Sequence, residues 1–168
     1  MADEIRGAVI GYGAAFNMGR HHVHAMNRTD GINTVAILDI DEARTVAAKE
    51  EFPEVETFNT LDAMLAWGEF DVAVNVLPHN LHHGPTLACL QAGKHAVVEK
   101  PFTISIAEAT ELIEAAKQND VVLTVHHNRR WDQDFWTLKG IIESGAIGQV
   151  FNIEIWGGGY SKPNPDWW

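Results

Sequence analysis

The chain is poor in several residue types that mark common classes of protein. Cys89 is its single cysteine, so no disulfide can form within the chain, which suits a reducing, cytoplasmic environment. Lysine and arginine number 12 against 23 aspartates and glutamates, and the net charge of −11 works against binding to nucleic acid or to an anionic membrane. No apolar run is long enough to cross a membrane, and the first residues do not resemble a signal peptide. We therefore expect a soluble cytoplasmic protein with no nucleic-acid or membrane partner.

Short β-branched runs alternate with helical patterns along the chain. Strands are predicted at residues 8–10, 34–38, 55–58, 72–77, 95–98 and 121–125, and helices at residues 19–29, 41–52, 61–67, 85–92 and 132–144. Another helix begins after Ser105, because Ser105 and Glu108 have the spacing of a capping box. Strict alternation with short connections predicts an α/β fold with a doubly wound parallel sheet.

Three glycines follow the first predicted strand in an arrangement that favours a dinucleotide-binding loop. Gly11 would permit the tight turn, Gly13 would let the backbone approach a pyrophosphate, and Gly19 would allow the first helix to pack closely on the strand. The usual spacing places the third glycine where this chain has Phe16, so the loop is three residues longer. An ordinary glycine-rich turn would contain the same residues, and the glycines alone do not decide between the two.

Asp39, at the end of the second predicted strand, favours the dinucleotide interpretation. It follows Gly19 by 20 residues (39 − 19), where an acid binds the adenosine ribose hydroxyls and repels a 2′-phosphate. Ile40 and Asp41 come next, with no lysine or arginine directly after Asp39, so the sequence favours NAD over NADP. The alternative is that Asp39 caps the next helix, but Asp41 is better placed for that role.

The stretch from Asp71 to Pro101 carries a family resemblance. It reads DVAVNVLPHNLHHGPTLACLQAGKHAVVEKP and resembles the signature region of the glucose-fructose oxidoreductase / inositol dehydrogenase / rhizopine-catabolism (Gfo/Idh/MocA) family. Glu99-Lys100-Pro101 after a strand is the hallmark of that family. Gly19-Arg20-His21-His22 and His127-Asn128-Arg129-Arg130 match it as well, so the resemblance covers nearly the whole chain in the right order.

The resemblance implies a Rossmann fold and a function. Members carry out NAD(P)-dependent oxidation of a hydroxyl on a sugar, polyol or related small molecule, or the reverse reaction. Lys100 matches the lysine that lies near the nicotinamide and the reacting hydroxyl in the family, which makes it the candidate catalytic residue. Besides the three glycines and Asp39, the residues expected at the cofactor are Pro78, His79, His82, Glu99, Lys100 and Asn128.

Leu77-Pro78-His79 departs from the family, which usually has Thr-Pro-Asn after the fourth strand. We therefore expect His79 to contact cofactor or substrate in a way that the family pattern does not predict. The lengthened phosphate loop is a second departure.

The nine histidines raise the question of a metal site. His21, His22 and His24 share one predicted helix, and three more lie between residues 79 and 83. Cysteine ligands are missing nearby, and the resemblance already accounts for His22 and His82. We expect no bound metal.

The end of the chain suggests a second domain. The catalytic aspartate and histidine of the family lie in a separate domain built on a large open sheet, so residues 1–149 are expected to form the NAD(P)-binding domain and residues 150–168 to begin a substrate domain that is cut short. An alternation at residues 150–156 predicts a further strand. Its unpaired edge would favour self-association, so we expect a homo-oligomer. Because the catalytic aspartate and histidine of the family lie in the separate domain, we expect the chain alone to have no dehydrogenase turnover.

Two other functions stay open. Some relatives use bound NAD transiently to break a glycosidic bond, and net NADH formation with a simple sugar would separate that activity from a dehydrogenase. Other relatives sense nucleotides without doing chemistry, although Lys100 argues against this.

Overall fold

Six strands and six helices alternate along the part of the chain that the structure, a computed structural model, describes: residues 4–13 and 17–160. The strands are β1 (Ile5–Ile10), β2 (Ile32–Leu38), β3 (Glu56–Phe58), β4 (Val72–Asn75), β5 (His95–Val98) and β6 (Leu123–Val125). The helices are α1 (Met18–Asn27), α2 (Glu42–Glu51), α3 (Leu61–Trp67), α4 (His83–Gln91), α5 (Ile106–Gln118) and α6 (Gln133–Glu143).

The strands form one parallel sheet in the order β3-β2-β1-β4-β5-β6. Ile10, at the end of β1, lies opposite Leu38 of β2 on one side and Asn75 of β4 on the other. The chain therefore winds outward from β1 in one direction and then, from β4, in the other. This confirms the predicted doubly wound sheet of the Rossmann type.

Apolar side chains on both faces of β1 hold the helices to the sheet. Ala8 and Ile10 pack on one face with Phe70, while Val9 packs on the other face with Val23 of α1. All five are buried. A strand covered on both faces is apolar at every position, which is why these strands read as short unbroken apolar runs in the sequence.

Side-chain caps begin three of the helices. Asp41 accepts from the N–H of Ala43 at the start of α2, and Thr60 caps α3. Ser105 and Glu108 form the predicted capping box at α5, where each side chain satisfies the other residue's backbone N–H. A cap of this kind typically contributes about 1 kcal/mol to stability.

The chain divides into two units, residues 1–126 and 127–168. In the second unit, a 3-10 turn at Asn128–Trp131 precedes α6, and the guanidinium of Arg129 donates to Asp132 at 2.8 Å.

Residues 150–160 contain no strand, so the strand predicted at 150–156 is wrong. An extended segment needs a neighbouring strand for its backbone hydrogen bonds, and the described residues of this unit supply none. The domain boundary placed after residue 149 stays a prediction.

No helix in the described ranges combines the length and the apolar character that crossing a membrane requires.

Candidate cofactor site at the carboxyl edge of the sheet

The ends of the parallel strands bring most of the predicted site residues to one edge of the sheet. Gly11 follows β1, Asp39 follows β2, and Glu99 follows β5. The strand order reverses at this edge, between β1 and β4. In doubly wound sheets the crevice at such a reversal is where ligands bind.

The turn after β1 has the geometry that the glycines predict. Gly11 has φ +96°, a conformation that favours glycine. A Cβ at Gly19 would lie 2.6 Å from the Cα of Tyr12 and against the carbonyl oxygen of Gly11, so α1 packs on the strand end more closely than a side chain would allow. Among the described residues, no atom lies within 4 Å of the position that a Cβ of Gly13 would take. Residues 14–16, in the lengthened part of the loop, lie outside the described residues.

Asp39 links the glycine turn to the end of β2. Its Oδ2 accepts from the N–H of Gly13 at 2.8 Å, and its Oδ1 accepts from the N–H of Asp41 at 3.0 Å. Asp41 is the residue that caps α2, as the sequence predicted. Each carboxylate oxygen of Asp39 can accept one further hydrogen bond, which suits the paired hydroxyls of a ribose.

Four side chains behind the glycine turn form a charged network. Glu51, the last residue of α2, accepts from the Nε of Arg20 at 2.7 Å and from the hydroxyl of Tyr12 at 2.8 Å. His24 lies 3.2 Å from the same carboxylate. The hydrogen bond from Arg20, reinforced by that from Tyr12 and opposed by burial, lowers the pKa of Glu51 to about 2. Burial and the adjacent carboxylate raise the pKa of Tyr12 to about 12.

Buried polar groups brace the loop between β4 and α4. The amide of Asn75 donates to the carbonyl oxygen of His82 and to the hydroxyl of Thr86, both at 3.0 Å, and accepts from the N–H of Leu77 at 3.1 Å. The fully buried ring of His82 has Nδ1 at 2.7 Å from the carbonyl oxygen of Pro101 and Nε2 at 2.9 Å from that of Leu77. His82 thereby ties this loop to the segment that follows Lys100.

Glu99 is the buried acid at the end of β5. Its Oε1 lies 3.0 Å from Nε2 of His22 and 2.8 Å from Nδ1 of His126, while its Oε2 accepts from the N–H of Lys100 at 3.1 Å. Burial raises the pKa of Glu99, but the hydrogen bonds from His22, the Lys100 amide and His126 outweigh it, and the net pKa is lowered. Burial also lowers the pKa of His22. The acid therefore fixes the backbone that carries the exposed Lys100.

The predicted residues of the first unit fall into three groups. The glycines and Asp39 form one group at β1 and β2. Pro78 and His79 are exposed on the β4–α4 loop above the buried His82, and the His79 and His82 rings lie 5.7 Å apart. Glu99 and Lys100 follow β5. Asn128 begins the 3-10 turn of the second unit.

Sequence reasoning missed His126 and Glu51. His126 directly follows β6, as Glu99 directly follows the adjacent β5, and parallel neighbours end at the same edge. His126 could therefore have been predicted from its position directly after a strand that neighbours β5. Glu51 had none, because it lies on the last turn of α2 and meets Arg20 only through helix packing.

The strand order, the glycine turn and the acid after β2 define the class: a dinucleotide-binding domain of the Rossmann type. Residues 5–127 match the model of the GFO_IDH_MocA family, described as "Oxidoreductase family, NAD-binding Rossmann fold". The chain belongs to this family, which confirms the resemblance seen in the sequence.

Several characterised proteins are similar to this chain. A scyllo-inositol 2-dehydrogenase (NADP(+)) of Bacillus subtilis is 32% identical over 98% of the chain and 44% of its own length. A myo-inositol 2-dehydrogenase of Thermotoga maritima is 30% identical over 90% of the chain and 44% of its own length. The WlbA dehydrogenase of Bordetella pertussis, crystallised with NADH and UDP-GlcNAcA, superposes with a TM-score of 0.79 at 28% identity, over 88% of the chain and 44% of its own. The chain thus spans less than half the length of these relatives.

Proposed function

We propose that this chain is the cofactor-binding part of an NAD-dependent oxidoreductase that acts on a hydroxyl of a sugar, polyol or related small molecule. The observation that carries the proposal is the gathering of the glycine turn, Asp39 and Lys100 at the carboxyl edge of one sheet. The inositol dehydrogenases among the relatives support the class of substrate.

Asp39 is the proposed ribose ligand and the reason for preferring NAD. Asp39, Asp41 and Glu42 place three negative charges at the end of β2, while Arg44 is the one cation nearby in sequence and lies 3.8 Å from Asp41. A 2′-phosphate would bring further negative charge into this group and would be repelled. The Bacillus relative is named for NADP(+), so the preference is argued from these residues of the chain rather than from that relative.

The start of α1 is the proposed pyrophosphate site. The first turn of α1 carries no acid, and the side chain of the N-cap residue Asn17 makes no capping bond. Within the described residues no side chain caps these N–H groups, so they and the positive end of the helix dipole would be open to an anion. Arg20 is engaged by Glu51, so backbone groups rather than this guanidinium would bind the phosphates.

Lys100 is the proposed catalytic residue. Its backbone is fixed by Glu99 and its side chain is exposed at the edge where the cofactor would lie. Oxidation of a hydroxyl removes a hydride from carbon and a proton from oxygen. Bound NAD would accept the hydride, and the aspartate and histidine that the family resemblance places in a separate domain would accept the proton. The ammonium of Lys100 would donate a hydrogen bond to the substrate oxygen and so stabilise the alkoxide-like charge that develops there.

Titration calorimetry with NAD⁺ and NADP⁺ tests the proposal. The wild-type chain is expected to bind NAD⁺ more tightly, and Asp39→Asn is expected to lose about 10- to 100-fold in NAD⁺ affinity, because a hydrogen bond to a charged acceptor is worth about 1.5–3 kcal/mol. Asp41→Asn is the matched control, since asparagine caps a helix as well as aspartate does and the variant removes one charge without changing the ribose acceptor. Tighter binding of NADP⁺ by the wild type, or equal losses in the two variants, would refute the role of Asp39.

A further inference from the structure

Three side chains from distant parts of the chain converge next to the backbone of Lys100, whose N–H donates to one of them, Glu99. His22 comes from α1, Glu99 from the end of β5, and His126 from the end of β6. The candidate ligand atoms of the three residues lie within 4.8 Å of one another. The described residues contain no second group of three histidines, cysteines or acids that meets this condition.

The two histidines point at the same carboxylate oxygen. Oε1 of Glu99 is 3.0 Å from Nε2 of His22 and 2.8 Å from Nδ1 of His126. The imidazole rings lie edge to face, with centroids 4.6 Å apart and an angle of 66° between their planes. Packing of three separate elements, rather than a local turn, therefore creates the convergence.

Against the expectation from the sequence that no metal is bound, we propose that His22, Glu99 and His126 form a binding site for a divalent cation of the zinc type. The ligands would be Nε2 of His22, Nδ1 of His126 and Oε1 of Glu99, with water in the fourth position. Two imidazoles and one carboxylate are a donor set that zinc accepts. Tetrahedral coordination at metal–ligand distances of 2.0–2.1 Å separates neighbouring ligand atoms by about 3.3 Å. The two histidine–carboxylate distances of 3.0 and 2.8 Å would therefore open by a few tenths of an ångström, while the two imidazole nitrogens, which lie within 4.8 Å of each other, would settle at the same separation.

Metal binding would need no group to accept a proton from the two imidazole rings. Each neutral imidazole carries one proton and can hold it on either ring nitrogen. On metal binding, the proton of His22 would occupy Nδ1 and that of His126 would occupy Nε2. The carboxylate of Glu99 keeps its hydrogen bond from the Lys100 amide through Oε2, which leaves Oε1 for the metal.

The site has a route to solvent. The side chains of His22 and Glu99 are 8% and 10% exposed, but that of His126 is 29% exposed. The His126 side is where an ion would enter and where a coordinated water would lie. The two buried ligands hold the geometry.

Other histidines of the first unit do not offer such a site. Both ring nitrogens of His82 face backbone carbonyl oxygens. Among the described residues, His83 pairs with one acid, Glu111, at 2.9 Å, and that carboxylate is 57% exposed. His83 therefore provides a matched control, because it forms a histidine–glutamate pair with Glu111 that has no third ligand among the described residues.

Cobalt titration tests the proposal on the chain as it is, produced without a polyhistidine tag and treated with a chelator. Addition of Co²⁺ is expected to produce the visible absorption of a four-coordinate ion, saturating at one equivalent and displaced by Zn²⁺. Loss of a surrounding hydrogen-bond partner weakens metal sites by about 10- to 100-fold, so loss of a ligand in His126→Ala should weaken binding by at least about 100-fold. His83→Ala should bind as the wild type does.

Two results would overturn the proposal. One is a wild-type chain that gives no saturable cobalt spectrum, which would identify the cluster as hydrogen bonds alone. The other is a His126→Ala chain, folded by circular dichroism, that binds cobalt as tightly as the wild type. Should His126→Ala not fold, His126→Gln takes its place, and the wild-type result stands in either case. Nucleotide titrations are read separately, so the metal site and the proposed NAD site can fail independently.

Discussion

Replacement of Gly19 by alanine probes the closest contact in the site. A Cβ at this position would lie 2.6 Å from the Cα of Tyr12 and 2.9 Å from its carbonyl oxygen. Both neighbours are backbone atoms of the turn after β1, and neither can rotate away as a side chain could. Gly19→Ala must therefore move α1 off the sheet and disturb the packing of Val23 and Met26, which are buried on that face.

The expected change in the free energy of unfolding of Gly19→Ala follows from two opposing effects. Overpacking costs about 1–3 kcal/mol, and the upper end applies because backbone atoms form the obstacle. Alanine is the better helix former by about 1 kcal/mol, which offsets part of the cost. We expect the free energy of unfolding of Gly19→Ala to fall by about 2 kcal/mol, roughly a 30-fold shift in the folding equilibrium.

Urea unfolding followed by circular dichroism measures this loss. Gly140→Ala is the control, because Gly140 lies in α6 and no described atom comes within 4 Å of the position that a Cβ would take. That variant should be as stable as the wild type or up to about 1 kcal/mol more stable. If Gly19→Ala unfolds at the same urea concentration as Gly140→Ala, the close contact between α1 and the turn is not what requires glycine.

Two further predictions concern single ionisable groups. Burial raises the pKa of the Cys89 thiol to about 12, so thiol reagents at pH 8 should label the folded chain slowly and the urea-unfolded chain at once; rapid labelling of the folded chain would contradict this. Hydrogen bonds from Arg20 and Tyr12 lower the pKa of Glu51 to about 2, so its contribution to stability is present above the ordinary glutamate value of 4.5 and is lost as the pH falls towards 2. Urea midpoints measured from pH 5 to pH 2.5 should fall less steeply for Glu51→Gln than for the wild type, and parallel curves would refute the role of Glu51.

Local signals predicted most of the fold. The strand His95–Val98 and the helix Leu61–Trp67 were predicted with the bounds that the structure shows, because apolar runs and flanking polar residues define them. The capping box at Ser105 was likewise readable from two residues. The apolar alternation at residues 150–156 led to a wrong strand prediction. Alternation describes only the side-chain pattern of a strand, whereas a strand also needs a neighbouring strand to pair with.

The candidate site was predictable only in part. Asp39 and the glycines were found because their spacing along the chain reflects the turn itself. The contact between His22 and Glu99 joins residues 77 positions apart, and that with His126 depends on which strands are neighbours. Such contacts are set by sheet order and helix packing, so a single sequence points to the edge of the sheet without showing which side chains meet there.

The sheet order has a consequence for the chain as it leaves the ribosome. β1 is synthesised first but lies in the middle of the sheet, between β2 and β4. Its first partner is available once residues 32–38 have emerged, whereas its other edge stays unpaired until residues 72–75 follow. During that interval a short, apolar strand edge is open to pairing with other nascent chains. The rate of translation between β2 and β4 therefore sets how long the growing chain is exposed to mispairing.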